Sequence, residues 1–218
     1  VTVFDDMVVR SVPFYCEMHR MIGELTKDFA VKGTNVYDLG CSTGTTMLNL
    51  DKVLPDDIHF VGIDNSDEML IKCQNNLKNA GVKRKVRYEN QDLNHDIELE
   101  NPSVVIFCLT LQFLRPLKRE SILKKICESL PENGAVILIE KILTEESICN
   151  RLFIEHYYEF KKRNGYNETE IAKKRESLEN VLVPYKLSEN EELLKSCRFR
   201  YTEVFFKWYN FAGIIAIK

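Results

Sequence analysis

Asn35-Val36-Tyr37-Asp38-Leu39-Gly40-Cys41-Ser42-Thr43-Gly44 is an apolar strand that runs into a glycine-bearing turn just before a helical pattern over residues 45–53. Gly40 and Gly44 remove side chains where the backbone must turn sharply and approach a ligand, and the helix that follows offers unpaired N–H groups at its start. Asp64 ends the next strand, Phe60-Val61-Gly62-Ile63, about 20 residues past the turn, where a carboxylate can accept both hydroxyls of a ribose. Strand, turn, helix and strand-end acid together read as a nucleotide-cradling site.

Working outward, the chain alternates. Strands are expected over residues 35–39, 59–64, 85–90, 103–109 and 135–141, and helices over 45–53, 66–80 and 116–130. Such alternation means a mostly parallel sheet wrapped by helices. Ser66 ahead of Met69 and Leu70 reads as a helix cap, and Pro131-Glu132-Asn133-Gly134 as a stop and turn. Residues 1–30 lead as N-terminal lid helices, and a helical insertion occupies residues 142–182 after the fifth strand. Two closing strands, 202–208 and 211–218, are separated only by Tyr209 and Asn210, the spacing of an antiparallel hairpin. A six-strand parallel core finished by such a hairpin, seven strands in all, is the order of the Rossmann-like class I S-adenosylmethionine-dependent methyltransferase fold. Dinucleotide dehydrogenases usually end on another parallel strand.

At 218 residues the chain fits one soluble α/β domain. It opens on Val1 rather than Met, and a short stretch is expected to precede it. The 30 basic and 33 acidic residues give a net charge of −3, which argues against a broad footprint for RNA or DNA and favours a small ligand. Lys161-Lys162-Arg163 and Lys173-Lys174-Arg175 alternate with Glu159, Glu168, Glu170, Glu176 and Glu179 and read mostly as a solvated helical face. The seven cysteines, Cys16, Cys41, Cys73, Cys108, Cys127, Cys149 and Cys197, form no CxxC pair and read as reduced thiols. His19, His59, His95 and His156 have no metal-ligand spacing and read as ordinary surface or capping residues, so no metal is expected. The longest apolar runs, residues 104–109 and 135–139, are too short to cross a bilayer, and no signal segment precedes them. A cytoplasmic location without membrane contact is the expectation.

Further residues sharpen the site. Asp92, after Tyr88-Glu89-Asn90-Gln91, is placed to meet an adenine amino group with its carboxylate or through the Leu93 N–H; the alternative is a loop cap. In the helix that starts near Asn167, Ile171, Leu178 and Leu182 share a face and Arg175 interrupts it. A guanidinium on an apolar face needs an anion to offset its desolvation, and its planar fork suits a carboxylate; otherwise it snorkels outward or pairs with Glu179. Tyr15 sits in the leading helical segment, as a lid residue or as core. Cys108 ends its strand at the C-terminal rim of the sheet, where ligands bind in open α/β folds, or is a small buried apolar group.

Over nearly its whole length the sequence resembles the carboxy-S-adenosyl-L-methionine synthase family, class I methyltransferase-fold proteins that do not transfer a methyl group. The likeness is carried by Arg10-Ser11-Val12-Pro13 with Tyr15, residues 36–42, Gly62-Ile63-Asp64-Asn65-Ser66 and residues 109–114. It continues through Asn164-Gly165-Tyr166, Lys174-Arg175 and Leu178-Glu179-Asn180-Val181. The resemblance implies that Tyr15, Gly40, Cys41, Ser42, Asp64, Asn65, Asp92, Leu93, Cys108 and Arg175 contact the cofactor, S-adenosyl-L-methionine or its carboxylated form, with Arg175 on the new carboxylate. It implies conversion of S-adenosyl-L-methionine and prephenate to carboxy-S-adenosyl-L-methionine and phenylpyruvate, and supply of a wobble-uridine tRNA modification made by a separate enzyme. It also implies a homodimer in which Arg175 serves its own or the neighbouring site. The chain departs from the family in carrying Cys108 for a usual asparagine, Tyr157-Tyr158 for paired histidines and Phe14 for a glycine. A conventional methyltransferase acting on a small molecule is the alternative: it would share the cradle and have no use for a carboxylate-binding Arg175.

Overall fold

In this computed structural model, which describes residues 4–218, the sequence from Asn35 to Leu39 forms β1 in the interior of the sheet. The first three residues of the expected lid segment lie outside the described residues. The remaining strands are β2 His59–Asp64, β3 Val86–Asn90, β4 Pro102–Cys108, β5 Ala135–Leu143, β6 Tyr185–Lys186, β7 Tyr201–Trp208 and β8 Phe211–Ile217. Their order is β3-β2-β1-β4-β5-β8-β7, with the two-residue β6 alongside the end of β5. Strands β1 to β5 pair in parallel, β8 inserts antiparallel to β5, and β7 returns antiparallel to β8. Strand β7 therefore runs with the parallel set, which gives the expected six strands one way and one reversed.

Among the described residues eight α-helices accompany the sheet: α1 Phe4–Ser11, α2 Tyr15–Phe29, α3 Thr45–Asp51, α4 Asp67–Asn79, α5 Pro116–Ser129, α6 Ser147–Arg163, α7 Glu168–Leu178 and α8 Leu187–Ser196. Both sheet faces are covered, so the central strands read as continuous apolar runs whose alternate residues serve opposite cores. Val36, Phe60, Val104 and Ile137 pack with Met18 and Ile22 of α2, Met47 of α3 and Leu77 of α4. Tyr37, Val61, Val105 and Val136 pack with Leu123 and Ile126 of α5 and Leu194 of α8. The strand order reverses between β1 and β4, so a crevice opens beyond the carboxyl ends of these strands, the usual ligand position in such sheets.

Local signals explain the element ends. Ser66 Oγ accepts the Met69 N–H at 3.3 Å and starts α4. Asn167 and Glu170 exchange side-chain bonds with each other's backbone N–H as a capping box at α7. Gly134 N–H donates to Pro131 O at 2.9 Å and closes the turn before β5. Strand β6 and α8 were not anticipated; α8 buries Leu194 fully and packs Leu187 and Leu193 only partly against the core, a short apolar stripe. His19 departs from the surface or capping reading: it is buried between α2 and α3, with Nδ1 2.9 Å from Tyr15 O and Nε2 3.4 Å from Thr46 Oγ1. Burial holds its pKa below the ordinary histidine value. All seven cysteines are free thiols. Among the described residues no helix is long and apolar enough to cross a membrane.

Candidate functional site

The turn after β1 is shaped by contacts that a side chain would destroy. Gly40 has φ +79°, and a Cβ there would clash with the Thr110 side chain; Gly44 has φ +86°, and its Cβ would fall 2.7 Å from Cys73 Sγ on α4. The two glycines thus let the turn pass the loop after β4 and let α3 start against α4. The N–H groups of Gly40 and Cys41 both donate to Ile63 O, and that of Gly44 to Cys41 O. Ser42 N–H donates to Asp64 Oδ2 at 2.9 Å. These four turn groups are spent inside the protein, whereas the donors expected to be unpaired are those at the start of α3. What the turn presents to a ligand is its close-fitting surface and the carboxylate it anchors.

Asp64 also accepts Ser66 N–H on Oδ1 at 3.0 Å. Each oxygen retains acceptor capacity, since an ionised carboxylate has about four lone-pair sites. Asp92 accepts both the N–H and the side-chain amide of Asn94 on Oδ1 at 2.9 Å, and these bonds hold its pKa below the usual carboxylate range. It is a loop cap and a lining residue at once.

Beneath the turn, Asp38 is buried with no hydrogen-bond partner for either oxygen. Burial, then the nearby Asp64 charge, push its pKa up to about 7. Glu140 on β5 is buried too, but accepts Leu111 N–H at 3.0 Å and Gln112 N–H at 2.8 Å. Burial lifts its pKa to about 8 against the pull of these bonds. Arg119, 1 % exposed, donates to the carbonyls of Gln112, Leu114 and Val183 and lies 4.2 Å from the Tyr185 ring centroid. This network pins the loop after β4 to the strand end that follows α7.

The upper wall comes from α1, α2, α6 and α7. Tyr15 opens α2 and is half-buried; burial, followed by the nearby Cys108 sulfur, raises its phenol pKa. Cys108 also has its thiol pKa raised, first by burial and then by the Asp38 and Glu140 carboxylates, so it is a neutral wall atom. Phe14 stands in a left-handed conformation, φ +53°, which a glycine would adopt more readily. Tyr157 is a buried wall, its hydroxyl donating to Ser11 O at 3.0 Å.

These elements enclose a cavity of about 810 Å³. Tyr15, Gly40, Cys41, Ser42, Asp64, Asn65, Asp92, Leu93, Cys108 and Arg175 all line it, so the residues singled out from the sequence meet in one place within one chain. Arg175 reaches this cavity from α7 without a neighbouring subunit. The reason given for singling it out needs correction, however. Arg175 is exposed on the rim and not desolvated by an apolar face, and no ion pair to Glu179 or to any other described residue holds it.

Lysines of the two basic runs, read from the sequence as a solvated face, line the cavity instead, together with Lys141 near the end of β5. Lys161 is 5 % exposed, Lys141 and Lys174 are half-buried, and all three line the cavity. Burial, then the charges of Lys141 and Lys174, bring the Lys161 pKa down to about 8. Only part of the basic runs is solvated: Lys162 pairs with Glu159 and Glu168 on the outside of α6. The missed signal was periodicity, because Asn150, Ile154, Tyr157 and Lys161 fall at helical spacing and all line the cavity. Among the described residues no three His, Cys, Asp or Glu side chains gather as metal ligands.

A family described as a methyltransferase domain matches residues 36–134, from β1 to the turn before β5. A carboxy-S-adenosyl-L-methionine synthase of Methylococcus capsulatus is 56% identical over 218 residues, covering 100% of this chain and 90% of the relative. One from Helicobacter pylori is 44% identical, covering 99% of this chain and 90% of that one. Among solved structures, a putative O-methyltransferase from Nostoc punctiforme superposes with a TM-score of 0.68 at 15% identity, over 94% of this chain and 57% of that one. Human N-acetylserotonin methyltransferase, solved in complex with S-adenosylmethionine, gives 0.63 at 15% identity, over 98% and 54%. At such identity the structural likeness speaks for the fold alone.

Proposed function

The chain belongs to the carboxy-S-adenosyl-L-methionine synthase family, and from that membership we propose that it converts S-adenosyl-L-methionine and prephenate to carboxy-S-adenosyl-L-methionine and phenylpyruvate. The observation that carries this reading is the polarity of this cavity. Asp64 and Asp92 stand at the ends of β2 and β3, while Lys141, Lys161, Lys174 and Arg175 stand at the end of β5 and on α6 and α7. Strands β1 and β4 separate the two ends. An adenosyl group fits the acidic end, where ribose hydroxyls can donate to Asp64. Carboxylates fit the other.

In aromatising to phenylpyruvate, prephenate gives up carbon dioxide and hydroxide; the hydroxide takes a proton from the methyl group that the sulfonium acidifies and leaves as water, and the carbon dioxide is captured at that carbon. The residues of this chain bind and orient. Asp64 and the Asp92–Leu93 loop fix the nucleoside, Tyr15 and Cys108 wall the reacting region from water, and Arg175 holds the new carboxylate from the rim. A conventional small-molecule methyltransferase would use the same acidic end and would bring to the cationic end only the cofactor's own amino-acid carboxylate, with no second carboxylate for the remaining cations.

The enzyme is proposed to work as a cytoplasmic homodimer that feeds a tRNA wobble-uridine modification without binding RNA itself or using a metal. The direct test is the mass of the ligand that co-purifies with the protein. A carboxylated sulfonium, heavier than the ordinary cofactor by one carbon dioxide, supports the reading; purified protein carrying only S-adenosylmethionine or S-adenosylhomocysteine counts against it. Arg175→Leu is expected to reduce the preference for carboxylated over ordinary cofactor by about 1.5 kcal/mol, the low end for a charge-assisted bond because the arginine is exposed.

A further inference from the structure

Lys161 is the only lysine of the described residues that is nearly excluded from solvent, and no carboxylate answers it. Its ammonium stands 4.5 Å from the Tyr157 ring centroid, and that of Lys141 stands 5.0 Å from the same ring. Lys174, on α7, lines the same part of the cavity. Glu140, next to Lys141 in β5, points to the opposite sheet face, where the Leu111 and Gln112 N–H groups hold it. Glu179 is exposed at the rim and pairs with none of the three among the described residues. Gathering like charges in a desolvated wall is costly, and the Tyr157 ring, with the Tyr166 ring centroid 6.0 Å from the Lys161 ammonium, offsets little of it. The missing component is an anion that arrives with the ligand.

We propose that Lys161, with Lys141 and Lys174, forms a carboxylate subsite for the second substrate, a small dicarboxylate, separate from the contact that Arg175 makes. The inference rests on the proposed reaction for the choice of substrate. It goes beyond it in assigning these lysines, the neutral tyrosine between two of them and their place on the β5 side of the cavity. The location follows from the strand order: the nucleoside end lies beyond β2 and β3, so a molecule at the lysines lies on the far side of the cofactor's ribose. Both a second substrate and the cofactor's own amino-acid carboxylate have the chemistry to meet these ammonium groups, and the test separates them.

Wild type, Lys161→Met and Lys161→Arg are loaded with S-adenosylhomocysteine and titrated calorimetrically with prephenate, and with succinate as a non-reacting dicarboxylate. Lys161→Met should weaken both dicarboxylates about tenfold or more, and Lys161→Arg should recover much of the loss. S-Adenosylhomocysteine affinity should stay within about twofold. The ligand-free Lys161→Met protein should melt no lower than wild type, because an unpaired buried charge is replaced by an apolar chain of similar length; Lys174→Met, on a half-buried helix face, provides the same measurement should the first variant not fold. Unchanged dicarboxylate binding overturns the proposal, as does a matching loss of S-adenosylhomocysteine affinity, which would give the lysines to the cofactor's carboxylate. Product formation with unaltered dicarboxylate binding in Lys161→Met would sink this subsite and leave the reaction standing; lysine-dependent binding without carboxylated product would do the reverse.

Discussion

The backbone N–H of Ser42 donates to Asp64 Oδ2 at 2.9 Å, tying the turn after β1 to the end of β2. One carboxylate therefore sets the shape of the glycine turn and faces the cavity. Structure and binding are coupled at this residue, and its removal should register in both.

Asp64→Ala leaves the Ser42 and Ser66 N–H groups without their acceptor and a ribose without its partner. Affinity for S-adenosylmethionine and for its demethylated product should fall by about 1–3 kcal/mol. Calorimetric titration measures it, and unaltered affinity would remove Asp64 from the site.

At Gly40 two costs are separable. An alanine there meets Thr110 and must also hold a positive φ, which costs about 1–2 kcal/mol for an L residue. Gly40→Ala should be destabilised beyond that figure, and Gly40→Ala combined with Thr110→Ala should recover only the steric part. Denaturant melts of the four proteins close the cycle; full recovery in the double variant would mean that the backbone is not strained there.

The pKa of Asp38 is raised in the folded protein from 3.8 to about 7, so folding favours its protonated form. Its contribution to stability is complete below the unfolded value and is lost as pH rises through the folded one; the raised pKa of Glu140 acts with the same sign. Lys161, with its pKa lowered to about 8, works in the opposite sense only above that pH. Between pH 5.5 and 7.5 the wild type should lose about 2 kcal/mol that Asp38→Asn does not. Equal slopes in urea melts at the two pH values would show that Asp38 is not held protonated.

A net acidic chain, with part of its basic clusters turned into a cavity, should bind tRNA weakly and without selectivity. Gel shifts over a salt series test this. Tight saturable binding at physiological salt would point to direct action on RNA.

Much of the fold was legible because the strands carry their own signals. The limits of β1 and β2 follow from apolar runs that stop at Gly40 and Asp64, and the hairpin follows from the two residues between its strands. The acidic end of the cavity was legible for the same reason, since a glycine turn and strand-end acids lie at fixed offsets. The cationic end was not. Lys161 and Lys162 are neighbours in sequence, yet one is buried against Tyr157 and the other pairs with Glu159 outside; composition sees two lysines, and only the helical phase separates them. Arg175 was selected by the converse error, because an apolar stripe around it suggested burial where α7 leaves it at an open rim. The loop-ordering role of Arg119 was also hidden, because its partners are backbone carbonyls that leave no mark in sequence.

The most direct measurement incubates the purified protein with S-adenosylmethionine and prephenate and follows the products by mass spectrometry. Phenylpyruvate and the carboxylated sulfonium should accumulate together, with little S-adenosylhomocysteine. Accumulation of S-adenosylhomocysteine with a methylated acceptor, or consumption of neither substrate, would contradict the account and make a conventional methyltransferase the better description.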